Sequence, residues 1–245
     1  MVQRSLVVAA LAALFLAGGL AISSSTAHAD KRRVRRSNLP AGWKWPPSRD
    51  ARREGRKCMR DLRKMGIKYK RAPRRRMIAT PVIIPAMKFG SVTMKPTYRK
   101  PPFVMDCRLA RAFATYAQSL STVGISELYF SSIYDYRRVR MYHKVQRALS
   151  RHSLGLAIDV YAVRLENGTK LTVSRDYWTS PALMVAELAL RSSGGFRQIL
   201  SPAIDPISHT DHLHLEVKVE QPEIANSRSK KARRRARSSV SQLAP

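Results

Sequence analysis

The positive charge of this chain is piled toward its two ends, and that placement decides where a core can form. Of 245 residues, 46 are Lys or Arg and 16 are Asp or Glu, a formal net charge of +30. Residues 31–76 hold 20 of the cations against 3 acids, and residues 228–237 hold 7 against none. Runs of like charge repel themselves and bury little apolar surface. The stretch 77–226, with 18 cations against 12 acids, has the near balance of an ordinary globular domain. One folded unit is therefore expected at 52–222, after a basic, proline-punctuated linker at 30–51 and before a disordered basic tail at 223–245.

Residues 1–29 read as an export signal. Arg4 opens it, an apolar run from Leu6 to Ile22 is interrupted by Gly18 and Gly19, and Ala27-His28-Ala29 supplies a small-residue cleavage site. A retained membrane anchor is the alternative, but the run is short for a span. No Cys stands beside the cut, which argues against a lipoprotein. Export would place the mature chain in the periplasm or outside the cell. The partners available there to basic ends are anionic envelope polymers or a phospholipid surface, whereas nucleic acid would require a cytosolic protein. The two cysteines, Cys58 and Cys107, are an even count in an oxidising compartment and favour one disulfide; two buried thiols are the other reading.

Periodicity outlines the elements. From Arg52 a helix is expected, with Cys58, Leu62 and Met65 on one side and Gly66 as its stop. Val82–Ile84 reads as an extended segment or edge strand among prolines. Residues 106–120 form the clearest helix, capped by Asp106, with Leu109, Ala112, Phe113, Tyr116, Ala117 and Leu120 as its apolar stripe. Strands are expected at 125–136 and 156–165, the latter turning at Asn167-Gly168 into 170–173. A further helix is expected at 181–191, with Pro181 in its first turn. His212–Val219 alternates, placing His212, His214, Glu216 and Lys218 on one face and Leu213, Leu215, Val217 and Val219 on the other. Strands mixed with helices and joined by hairpins imply an α+β fold with a small, largely antiparallel sheet and flanking helices.

Chemistry concentrates in two clusters. Five histidines lie beyond the signal, at 143, 152, 209, 212 and 214, and three of them fall in His209-Thr-Asp-His212-Leu-His214. Two imidazoles two residues apart on a strand share a face, and neutral nitrogen donors suit zinc. The other cluster is Ser150-Arg-His152-Ser-Leu-Gly155-Leu-Ala-Ile-Asp159. An acid inside an otherwise apolar strand needs a partner, either a cation such as a metal or an Arg. His152, Asp159 and one of the paired histidines make three donors, the count of a catalytic zinc site with an open position. Singly, a His-x-His on an exposed face or an Asp accepting a structural hydrogen bond would need no metal.

Together the motifs Ser-Arg-His152-x-x-Gly155-x-Ala157-x-Asp159 and Asp211-His212-Leu-His214 resemble the extensin-like C-terminal domain. More broadly they resemble the LAS group of zinc metallopeptidases, which includes lysostaphin, the D-alanyl-D-alanine carboxypeptidases and hedgehog-type domains. The resemblance covers about residues 55–220. It implies a LAS/hedgehog-like fold, Zn2+ held by His152, Asp159 and His214, and His212 beside the metal as proton acceptor or transition-state stabiliser. By the same likeness His209 matches an extra active-site histidine of some murein endopeptidases. Arg137, at the end of Tyr134-Asp-Tyr-Arg137-Arg138, would orient a substrate carboxylate or carbonyl, with Arg138 as its rival. Family members often carry a Cys where Tyr136 stands and a matching Cys-Gly upstream; both are missing here. The activity implied is hydrolysis of amide bonds in peptidoglycan peptides, as carboxypeptidase or endopeptidase, with Glu166 and Glu216 as possible carboxylate bases. A zinc-containing but inactive wall-binding module is the other function this sequence fits, and nothing in it sets an oligomeric state.

Overall fold

The computed structural model describes residues 38–141 and 144–219, so the expectations for 1–29 and 223–245 lie outside the described residues. Ser48 accepts from the Ala51 amide at 3.1 Å and starts helix α1, Arg49–Lys64. The helix buries Gly55, Cys58, Met59 and Leu62. Met65, expected on that face, is 39% exposed, because the helix ends at it and the chain turns away through Gly66 at φ 71°. The residues before α1 are laid against the domain. Trp43 donates its indole N–H to the Met77 carbonyl at 3.1 Å, and Asn38 donates to the Leu149 carbonyl at 3.1 Å.

Five short strands come next: β1 (Lys70–Arg71), β2 (Pro81–Ile83), β3 (Lys88–Phe89), β4 (Val92–Pro96) and β5 (Val104–Asp106). β2 lies between β1 and β5 in an antiparallel sheet, so it is central and not an edge. Pro81 is tolerated there because it occupies the first position of the strand. Helix α2, Cys107–Thr122, is capped by Asp106, and the Cys58–Cys107 disulfide ties it to α1. The remaining elements are β6 (Ile125–Ser132), β7 (Arg138–Met141), β8 (Lys144–Leu149), β9 (Ala157–Leu165), β10 (Lys170–Thr172), α3 (Val173–Asp176), α4 (Pro181–Ser192), β11 (Phe196–Leu200) and β12 (Leu213–Val217). The fold is α+β.

The main sheet runs β11-β12-β9-β6-β4-β3, with β10 added to β9; every pair is antiparallel except β4 with β6. β9 is its axis. Leu109, Phe113, Ala117 and Leu120 of α2 join Leu128, Phe130, Ile158, Leu213, Leu215 and Val217 of the sheet in one buried core. Fully burying a side chain of this size contributes about 1.5–3 kcal/mol. The core therefore fixes the register of β9 against β12, since a one-residue slip would turn these side chains out. That register sets His214 directly opposite Asp159.

Candidate metal centre

His152 reaches the site from a one-turn 3-10 helix, Arg151–Leu154, that enters β9 through Gly155. The turn is closed by Ser150, which accepts from the His152 amide at 3.3 Å, and Gly155 leaves it at φ 65°. A Cβ at Gly155 would meet the Asp106 nitrogen at 2.7 Å, so only glycine permits this approach. The Asp106 amide donates to the Gly155 carbonyl at 3.0 Å. The residue that caps α2 thus also anchors the turn that carries His152.

Three donor atoms converge in the buried space beside β9. His152 Nε2 is 3.1 Å from Asp159 Oδ1 and 3.1 Å from His214 Nδ1, and His214 Nδ1 is 2.8 Å from Asp159 Oδ1. His152 is 0%, Asp159 5% and His214 8% exposed. The outer nitrogens fix which ring atoms face inward. His152 Nδ1–H donates to the Ile133 carbonyl at 3.1 Å, and His214 Nε2–H donates to Glu216 Oε1 at 3.2 Å. Neither acceptor can give a proton, so each neutral ring turns an unprotonated nitrogen toward Asp159. Two nitrogen lone pairs and a carboxylate oxygen within about 3 Å of one another repel unless a cation lies among them. Among the described residues, His152, Asp159 and His214 form the group that could hold a metal ion.

Without a metal, a proton supplies that cation. Burial opposes charge on His214, but Asp159 and Glu216 outweigh it and raise the imidazole to about 9. Burial likewise opposes ionisation of Asp159, yet His152 and His214 hold it well below the usual carboxylate value. Glu216 is held at about 2, with burial overcome by His214 and Arg197. Arg197 Nε donates to Glu216 Oε2 at 3.0 Å, and Arg151, 4% exposed, approaches the same oxygen at 4.0 Å. Burial and the neighbouring Arg197 charge push Arg151 down to about 10 against the pull of Glu216.

His209 and His212 flank this cluster. His212 precedes β12, with Nε2 3.7 Å from Asp159 Oδ1 and Nδ1 2.7 Å from Asp211 Oδ1. Its ring stacks on Tyr161, centroids 5.0 Å apart. His209 lies 4.9 Å from the His212 ring and 5.5 Å from the His214 ring, with its Nδ1 2.9 Å from Asp205. Burial and the charges of His214 and His212 lower its pKa, which leaves a neutral ring with Nδ1–H on Asp205.

The structure thus brings together His152, Asp159, His214, His212 and His209. Arg137 is on the supporting segment: its amide donates to Ser153 Oγ at 2.8 Å, and its guanidinium pairs with Asp135 at 3.3 Å. Arg138 is exposed on β7. Glu216 is not a free base, because His214 and Arg197 occupy its oxygens. Glu166 is no base for this site either: it is exposed beyond the far end of β9, seven residues from Asp159 and so about 20 Å away. Three participants escaped the sequence reading, Ile133 through its carbonyl, Tyr161 and Asp205, while Asp211 is part of the motif but was given no role there. Tyr161 could have been found two residues along the strand from Asp159, and Asp205 four residues before His209.

No curated protein and no solved structure matches this chain. The model of the family described as "Extensin-like protein C-terminus" matches residues 56–225, which include every residue of this centre. With more than two thirds of its length matched around a buried His-Asp-His cluster, the chain belongs to the extensin-like C-terminus family.

Proposed function

We propose that the protein is an exported zinc-dependent peptidase, related to the LAS metallopeptidases, that hydrolyses amide bonds in the peptide stems or cross-links of peptidoglycan. The observation that carries this is the triangle of His152 Nε2, Asp159 Oδ1 and His214 Nδ1, with edges of 3.1, 3.1 and 2.8 Å. Donors about 2.0–2.2 Å from a tetrahedral zinc lie about 3.3 Å apart, so small outward shifts suit that ion. Three buried protein donors, with both rings oriented by acceptors behind them, also fit a site that keeps one position for substrate. Zinc in such a site supplies Lewis acidity, acidifying water and polarising a carbonyl.

The chain's own groups divide the remaining work. His212 is the proton carrier: Asp211 holds Nδ1, so Nε2 points to the Asp159 side of the site. Tyr161 fixes the plane of that ring by stacking, and its phenol, raised by burial, stays protonated as a hydrogen-bond donor. His209 adds a neutral imidazole beside His212. Arg137 would orient a substrate carboxylate or carbonyl, exchanging its Asp135 partner for the ligand.

The test is mass spectrometry of muropeptides incubated with zinc-loaded mature protein. Chelator-sensitive loss of a residue, or splitting of a cross-link, is expected and would also separate carboxypeptidase from endopeptidase. His212→Ala should keep zinc and lose about 10²–10⁴-fold in rate. Full zinc occupancy with no hydrolysis of any muropeptide would instead assign a wall-binding module.

A further inference from the structure

Helix α1 turns a single, almost wholly cationic face to solvent. Arg49, Arg52, Arg53, Arg56, Lys57, Arg60, Arg63 and Lys64 are all exposed. At about 100° per residue these eight side chains fall within an arc of about 140°. Gly55, Cys58, Met59 and Leu62 occupy the opposite, buried side. The three acids of the helix lie together on one flank and are already engaged: Asp50 and Glu54 with Arg53, and Asp61 with Arg111. Arg56, Lys57, Arg60 and Lys64 have no carboxylate partner among the described residues. Charge of this density on a folded helix costs stability through self-repulsion. The disulfide at Cys58 holds the face rigid against α2.

The stripe runs into a cleft. Beyond α1 an open depression of about 540 Å³ is lined by Arg63, Gly66, Ile67, Lys68, Tyr69 and Arg71. Arg63 Nε donates to the Tyr69 hydroxyl at 3.0 Å, which sets guanidinium and phenol side by side. Three cations and a phenol around one cleft offer donors from several directions, which the tetrahedrally directed oxygens of a phosphate can use together.

We infer that α1 and this cleft form a docking surface for a linear polyol-phosphate polymer, which lies along the helix and seats a phosphate among Arg63, Lys68 and Arg71. Along the axis a cation recurs every three or four residues, about 5–6 Å, over a helix about 24 Å long. A chain of regularly repeating phosphates can follow that row. A flat lipid surface would touch only the crest of a convex helix and leave the cleft empty, and no apolar side chain stands within the cationic arc to enter a bilayer. The surface is independent of the metal centre, so its failure would leave the peptidase reading untouched.

The experiment measures binding of the full mature chain to poly(glycerol phosphate) across a salt series, with Arg52→Gln/Arg56→Gln/Arg60→Gln and Arg63→Gln/Lys68→Gln/Arg71→Gln as variants. All six positions are exposed, so folding and zinc content serve as controls. Removing three phosphate contacts should flatten the slope of log K against log salt by about 2 and weaken binding about 100-fold at 0.1 M salt. Wild-type slopes in both variants would overturn the proposal. So would tighter binding to vesicles of phosphatidylglycerol, which would reassign the face to membrane. Tighter binding to a single-stranded oligonucleotide of equal phosphate count would reassign it to nucleic acid.

Discussion

Replacing Glu216 with leucine should separate orienting the metal site from merely holding the fold together. The carboxylate accepts His214 Nε2–H at 3.2 Å and so leaves Nδ1 free to face Asp159. With leucine there, the imidazole proton can move to Nδ1 and block the site. Partners of this outer kind are worth about 10–100-fold in metal affinity, or about 1.4–2.8 kcal/mol. The same change strands Arg151, 4% exposed, beside Arg197 with no other carboxylate paired to it among the described residues. Breaking a buried pair costs about 3–5 kcal/mol of folding stability, so lost zinc could be lost structure. The double variant Glu216→Leu/Arg151→Met resolves this. Exchanging a whole buried pair for apolar side chains is close to neutral, so stability should return toward wild type while zinc affinity stays low. The assay pairs urea denaturation with competition against a chromophoric chelator. Zinc affinity that recovers along with stability would refute the tautomer argument, as would an unchanged affinity in a folded single variant.

The pH dependence follows from His214, whose raised value of about 9 means that metal must displace a proton. Zinc affinity should rise about tenfold per pH unit up to about pH 9 and flatten above it; titration calorimetry in buffers of different ionisation enthalpy would count that proton, and a count of zero at pH 7 would contradict the assignment. His152→Ala, Asp159→Ala and His214→Ala should each lower zinc stoichiometry in folded protein, read by elemental analysis, with full occupancy in any of them removing that residue from the ligand set. Joining residues 49 apart, the Cys58–Cys107 bridge should add about 4 kcal/mol to unfolding stability, checked by denaturation with and without reductant. Gly155→Ala, with φ at 65° and 2.7 Å from the Asp106 nitrogen, should cost more than about 1 kcal/mol and weaken zinc binding; a wild-type midpoint would show that the turn relaxes freely.

Much of the centre was legible because strand periodicity carries it. Asp159 stands out as an acid between Ile158 and Val160, and His214 alternates with Leu213 and Leu215, so each polar side chain is marked by its apolar neighbours. The pairing of β9 with β12 is a non-local fact that no local pattern contains, yet both strands could place their polar residue only away from the core. Helix α2 was legible for a similar reason, since Asp106 announces its start and the stripe of Leu109, Phe113 and Leu120 fixes its buried side. The disulfide rested on an even cysteine count and an expected oxidising compartment, and α1 packed on α2 makes it geometrically possible.

What escaped depends on burial from a second side. The alternation of β12 sets His214 and Glu216 on one polar face but does not show that all five of its residues are buried, Glu216 at 5% exposure. The cover comes from Arg151 and Arg197, which are distant in sequence and look like surface residues in so basic a chain. A carboxylate two residues from a ligand on an open strand face is a candidate base; the same carboxylate beneath two guanidiniums is spent on orienting the ligand. At the N-terminal side the helical pattern from Arg52 read through the charge: the cations of residues 52–76 belong to α1 and the chain folded behind it, because a helix needs only Gly55, Cys58, Met59 and Leu62 on one side to dock. Each further cation on the opposite side adds repulsion without disturbing that contact. A face kept this charged at a cost in stability is the one on which a polyanion would recover the loss.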